Sequence, residues 1–211
     1  MILVLGAFGP EISPLDGRLP EDVVAATAGI GLVESALGAA EAIRRHAPKA
    51  VIFLGTAGAM PGSSLAPLDV ACLESTVLAE ASASSALPEP MRGEVVGDLA
   101  LREALFGDVR AVRVATTLGI TTDDHAARAL EHTTQAELEH LEAFAVGRAA
   151  IRANVRYCAL FGVANRVGSA GREQWARHHR EASERAANAL VRALDLGLFR
   201  PLLRGAGPTT L

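Results

Sequence analysis

At 211 residues, half of them hydrophobic, the chain has enough apolar mass to bury a full core as one domain over residues 1–211, and no linker-like stretch divides it. Its net charge of −4, with no basic stripe, argues against nucleic acid as a partner. Two cysteines, Cys72 and Cys158, both set in apolar runs, give no disulfide framework and fit a reducing cytoplasm.

The opening MILVLGAFG is too short for a membrane span, lacks a charged leader, and reads as the first strand. No membrane partner is expected from it. GAFGPEISPL follows as a Gly- and Pro-bearing loop, in which Glu11 is the only charge before Asp16. DVVAATA reads as a second strand and GLVESALGAAEAIRRHA as a helix. AVIFLG is a third strand, closed by the Gly-rich turn GTAGAM. LDVACLESTVLAE and VRAVRVAT are further strand candidates, separated by a Ser-, Pro- and Gly-rich loop over 82–97 that is placed to cover a pocket. Helical periodicity predicts helices at 124–130, at 135–151 and at 172–194, with the strand VRYCALFGVA between the last two. Residues 196–211 read as a partly ordered tail. Strands alternating with helices predict an α/β domain with a central mixed, mostly parallel twisted sheet flanked by helices.

Three strand ends carry candidate chemistry, and ligands sit at such ends in open α/β sheets. Glu11 is either held over a cleft by its loop or simply solvated. In GTAGAM, Gly55 and Gly58 let the backbone at Thr56 and Ala57 approach a flat or sugar-like ligand, or else they form a tight turn for packing. No GK(S/T) follows, so the turn is not a phosphate-binding loop. Asn165, closing the last buried strand in GVANRVGSAGREQW, either presents its amide edge to a heterocycle or caps a turn. A fourth candidate is Glu142 in HLEAFAV. Leu138, Ala145 and Ala149 lie at helical spacing from it, so a helix would bury the carboxylate in an apolar stripe unless Glu142 marks the stripe's edge. Asp123, Asp124 and His125 read as a helix start, and no metal-ligand spacing occurs, so no metal and no cofactor are expected.

In this order, GAFGPEI, VIFLGTAGAM, HLEAFAV and the Asn165 segment resemble the nucleoside phosphorylase and nucleosidase superfamily up to about residue 194. The resemblance implies a nucleoside phosphorylase-like fold, usually a homo-oligomer, a dimer or larger, acting on a small-molecule nucleoside. It assigns Glu11 to the attacking water, Thr56, Ala57 and Gly58 to the base and sugar pocket, Leu141 to the underside of the ribose, Glu142 to the ribose hydroxyls, and Asn165 to the purine.

Phosphorylases of this superfamily bring arginines to phosphate, one in the N-terminal loop and another just before the Gly-rich turn, where GAFGPEI and VIFLGTAG have none. Hydrolysis is therefore expected over phosphorolysis, since phosphate would face Glu11 without its cations. Adenine-specific nucleosidases carry Asp where Asn165 stands. An amide donates to O6 of a 6-oxopurine and accepts from a protonated N7, whereas adenine would set donor against donor. NRVGSAGREQW is also similar to the corresponding segment of futalosine hydrolases, which release hypoxanthine from futalosine in menaquinone biosynthesis. The departures are Leu141 for the usual Met, Phe144 for a small residue, and Arg166 after the Asn. A methylthioadenosine/S-adenosylhomocysteine nucleosidase and a phosphorylase using Arg113 or Arg166 are the alternatives.

Overall fold

The strands form where β-branched and aliphatic residues run without a helical period, and the central ones are buried on both faces. In the computed structural model, which describes residues 1–80, 93–105, 109–199 and 201–202, β1 (Ile2–Gly6) lies between β2 (Val23–Thr27) and β3 (Ala50–Ala59), parallel to both. β3 runs parallel to β8 (Arg156–Arg166) along its whole length. β4 (Val70–Leu78) pairs antiparallel with β8 and with the short β5 (Glu94–Val96), and parallel with β6 (Arg110–Thr116). β7 (Leu138–His140) joins β6 in parallel and β3 in antiparallel fashion. The pairings β3–β8–β4–β6–β7–β3 close a circuit, so half of the sheet is barrel-like while β1 and β2 extend from it as an open wing. This is a single α/β domain with a mixed central sheet, as the sequence pattern predicts.

Helices cover the sheet. After α1 (Gly9–Ile12), α2 (Gly31–His46) packs against α5 (Ala143–Arg152), and α6 (Gly171–Asp195) lies along β8. α3 (Leu99–Leu105) and α4 (Asp124–Thr134) complete the set, α4 opening on Asp123, whose carboxylate accepts the Ala126 N–H at 2.7 Å. Among the described residues no helix is long and apolar enough to cross a membrane.

Four expectations need correction. The predicted helix over 135–151 is divided: α4 ends at Gln135, which adopts φ 55°, then β7 fills the gap between β3 and β6, and only then does α5 begin. Long-range pairing overrides a helical period that a three-residue strand cannot contradict locally. GTAGAM is no turn, because β3 continues through Ala59. A bulge places two residues of β8 opposite this stretch, so that Gly58 pairs with Asn165. The segment after α6 is not wholly a tail, since Phe199 is buried in the core and Leu202 packs against it. The loop predicted over 82–97 contains β5 at its end, and its part over 82–92 lies outside the described residues.

Candidate active site

Glu11 enters the interior because α1 folds the loop after β1 back over the sheet. It is 3% exposed. One carboxylate oxygen accepts the Ala7 N–H at 2.8 Å, and the other accepts the Thr56 N–H at 2.8 Å and the Thr56 hydroxyl at 3.1 Å. Burial outweighs these bonds and, with the Glu142 charge nearby, raises its pKa to about 7. Gly55 makes the approach feasible: a Cβ there would meet His140 Nε2 at 2.7 Å and Glu11 Oε1 at 3.5 Å.

Glu142 sits at the N-cap of α5 yet does not cap it. His140 does so instead, its Nδ1 accepting the N–H groups of Glu142 and Ala143 at 3.0 and 3.2 Å. The Glu142 carboxylate is thereby free to cross to α2, where Oε1 accepts the Gly31 N–H at 2.7 Å. An acid at the first amide of a helix is favoured by the helix dipole. Burial raises the Glu142 pKa to about 6. The imidazole, packed edge-on against Phe53 and tilted on Phe161, is held neutral by burial, its pKa lowered to about 3. The 3.2 Å approach of His140 Nδ1 to Glu142 Oε2 is therefore no ion pair. Two acceptors face each other there, and the contact becomes a hydrogen bond only when Glu142 is protonated.

Asn165 lies at the end of β8, its Nδ2 donating to the Arg166 carbonyl at 2.8 Å. A Cβ on Gly58 would come within 3.0 Å of that Nδ2, so the glycine makes room for the amide. Across Gly58 on β7 stands Glu139, a third buried carboxyl group. Its Oε1 accepts from the hydroxyls of Thr121 and, at 3.3 Å, Thr117, while the Thr121 N–H is shared by both oxygens at 3.2 Å. Burial raises its pKa.

One cleft of about 570 Å³ collects Glu11, Thr56, Gly58, Leu141, Glu142 and Asn165 on its walls. Of the seven residues that the sequence resemblance assigned to the nucleoside site, Ala57 alone does not line it, because its side chain packs in the core between two cleft-facing neighbours on β3. Glu139, His140 and Thr121 were missed, although a polar pair inside the apolar frame of LEHLEAF was a visible signal for the first two. Trp175, whose indole N–H reaches the Thr56 hydroxyl at 3.3 Å, also lines the cleft and stacks on His179. The two arginines considered for a phosphate site are engaged elsewhere: Arg113 pairs with Glu94 at 2.6 Å, and Arg166 donates to the Met60 and Ser63 carbonyls. Arg172, exposed near the start of α6, is the one arginine on the cleft among the described residues.

A largely apolar cleft at the strand ends, into which a few buried polar side chains converge, defines an α/β domain made to hold a small molecule. The chain belongs to the phosphorylase superfamily, whose sequence pattern matches residues 15–195. Comparison with curated proteins finds no match. Among solved structures, the 5'-methylthioadenosine/S-adenosylhomocysteine nucleosidase of Helicobacter pylori superposes with a TM-score of 0.81 at 17% identity, covering 92% of this chain and 97% of that one. The futalosine hydrolase of Helicobacter pylori gives a TM-score of 0.81 at 17% identity with the same coverage. The methylthioadenosine/S-adenosylhomocysteine nucleosidase of Colwellia psychrerythraea, in complex with adenine, gives 0.82 at 16% identity over 99% of this chain and 97% of that one.

Proposed function

We propose that the protein is a purine nucleosidase that uses water to cleave the N-glycosidic bond, with a 6-oxopurine nucleoside, futalosine foremost, as its substrate. The observation that carries the reading is Glu11: a buried carboxyl group with a pKa near neutrality, in a cleft shared with Glu142 and Asn165. A group that titrates near 7 serves as a general base for water. Glu142 binds the ribose hydroxyls and favours the positive charge that develops on the sugar as the bond breaks. Asn165, with one amide hydrogen committed to the Arg166 carbonyl, retains its oxygen for a protonated N7 and its second hydrogen for O6. Leu141 and Gly58 supply an apolar wall and a glycine floor.

A second reading, a methylthioadenosine/S-adenosylhomocysteine nucleosidase, is supported by the structural relatives that carry that name, one of them with adenine bound. Incubation with futalosine, methylthioadenosine and inosine, with and without phosphate, decides between the two. Release of hypoxanthine with an unphosphorylated sugar, independent of phosphate, is the expected outcome. Adenine released from methylthioadenosine alone selects the second reading, and phosphate-dependent release removes both.

The same proposal includes a homo-oligomer. Val33 and Leu37 are exposed at helical spacing on α2, Ile30 is exposed just before it, and Ile120 and Leu118 are exposed as well, with Ile30 and Ile120 on the rim of the cleft. A second copy covering this ridge accounts for its apolar character. Light scattering should show a dimer or larger that Val33→Asp dissociates.

A further inference from the structure

The mechanism above gives His140 no part in the reaction, although it lines the cleft and is only 4% exposed. Its partners locate its proton. Nδ1 accepts the backbone N–H groups of Glu142 and Ala143, which can only donate, so Nδ1 is bare and the neutral ring carries its hydrogen on Nε2. Among the described residues no hydrogen bond reaches that Nε2–H. Phe53 and Phe161 pack around the imidazole, but an aromatic face is a weak substitute for a lone pair. Leaving a buried donor without an acceptor is costly, and capping α5 does not require one, since an asparagine would offer the same two amides an oxygen.

The acceptor that Nε2–H lacks has a place beside it. Gly55 puts no side chain between Nε2 and Glu11, where a Cβ would stand 2.7 Å from Nε2 and 3.5 Å from Glu11 Oε1. The two groups do not bond each other, for the hydrogen bonds of Glu11 come from Ala7 and Thr56. One oxygen atom between them can accept from Nε2–H and donate to Oε1 at the same time. We infer that His140 is a second catalytic residue, whose Nε2–H holds the attacking water against Glu11. The inference rests on the hydrolytic reading of the cleft and adds a donor to it. Accepting two amides at Nδ1 polarises the ring and strengthens Nε2–H as a donor. In the step, one proton of the water passes to the Glu11 carboxylate while a lone pair of its oxygen forms the bond to the anomeric carbon. The glycosidic C–N bond breaks with its electrons going to the base, which has taken a proton from solvent at N7. Nε2–H keeps its own proton and stabilises the hydroxide character that develops on the oxygen.

Two substitutions separate the cap from the donor. His140→Asn keeps an acceptor for the two amides and removes the donor at Nε2, whereas His140→Gln presents an N–H near Nε2 and deprives the amides of Nδ1. With inosine or futalosine as substrate, His140→Asn should lower kcat by about 10- to 100-fold and leave KM within about twofold. Hypoxanthine binding, read from the fluorescence of Trp175, the single tryptophan and a wall of the cleft, should be equally unmoved. His140→Gln should melt at a lower temperature yet turn over at least about fivefold faster than the asparagine variant. Activity that follows stability instead, retained by asparagine and lost by glutamine, makes His140 a cap alone and overturns the inference. So does a loss in His140→Asn that vanishes on 2′- or 3′-deoxyinosine, which would put Nε2–H on a ribose hydroxyl. Nitrogen NMR of the histidine rings in the unaltered protein needs no variant to fold: a proton on Nε2 of His140 is expected, and one on Nδ1 overturns the inference. Full turnover by His140→Asn sinks the role of His140 and spares the nucleosidase reading, whereas an unaltered protein that hydrolyses no nucleoside sinks both.

Discussion

At the acidic end of the cleft, Glu11 and Glu142 are held by backbone N–H groups of Ala7, Thr56 and Gly31, which belong to three separate stretches of chain. At the amide end, Asn165 and Glu139 lie beside each other across Gly58, and Glu139 is held largely by threonine hydroxyls. Backbone donors cannot rotate away, so the first arrangement fixes two like charges where water alone would separate them. Hydroxyls can reverse donor and acceptor roles, so the second arrangement can be retuned by one substitution without disturbing the sheet. On the proposed reading, reactivity and selectivity rest on different kinds of hydrogen bond.

Removing the proposed base at the acidic end has the largest expected effect. Glu11→Gln should lower kcat by about 10²- to 10⁴-fold in a base-release assay, with the fold intact by circular dichroism. Protonation should mimic this loss. With Glu11 titrating at about 7 and Glu142 at about 6, kcat/KM should fall roughly a thousandfold from pH 8 to pH 5, with a slope steeper than one proton below pH 6. A profile flat across that range breaks the assignment of the base.

Glu142→Gln should cost about 10- to 100-fold in kcat/KM, the worth of a charge-assisted bond in the transition state. It should also stabilise the protein at high pH. A carboxyl group whose folded pKa is raised from 4.5 to about 6 stabilises the fold fully below pH 4.5 and loses that contribution as the pH rises through 6. The glutamine carries no such loss and keeps an oxygen for the Gly31 N–H. Urea denaturation at pH 8 should show a gain of about 1 to 2 kcal/mol that vanishes near pH 4.5. His140, held neutral with its pKa lowered to about 3, works in the opposite direction below about 6.5, and it does so in both proteins. At the amide end, Asn165→Asp should shift selectivity by about tenfold toward 6-aminopurine nucleosides, measured as a ratio of kcat/KM values. Equal losses on both substrate classes would mean that the two ends are not separable.

The parts of the fold legible in sequence are those whose physics is local. Runs such as ILVLG and AVIFLG are strands because nothing else buries contiguous aliphatic side chains on two faces, and α2 and α6 follow from an apolar stripe of helical period. β5 and β7 were invisible, being three residues each and dependent on partners distant in the chain. Losing β7 from view had consequences for the site: with 135–151 read as one helix, Glu139 and His140 fall on arbitrary helical faces, and only their pairing beside β3 and β6 turns them toward the cleft.

Glu11, Glu142 and Asn165 stood out in the sequence because a charge or an amide among apolar and glycine residues must be either solvated or partnered. Which of the two applies is not a local property. The closed circuit of strands brings positions 11, 142 and 165 to one cavity, and burial there lifts the two acids toward neutrality. Composition and period determine what a segment wants to bury; the charge state of a carboxyl group depends on what surrounds it after folding, which is set by neighbours more than a hundred residues away along the chain.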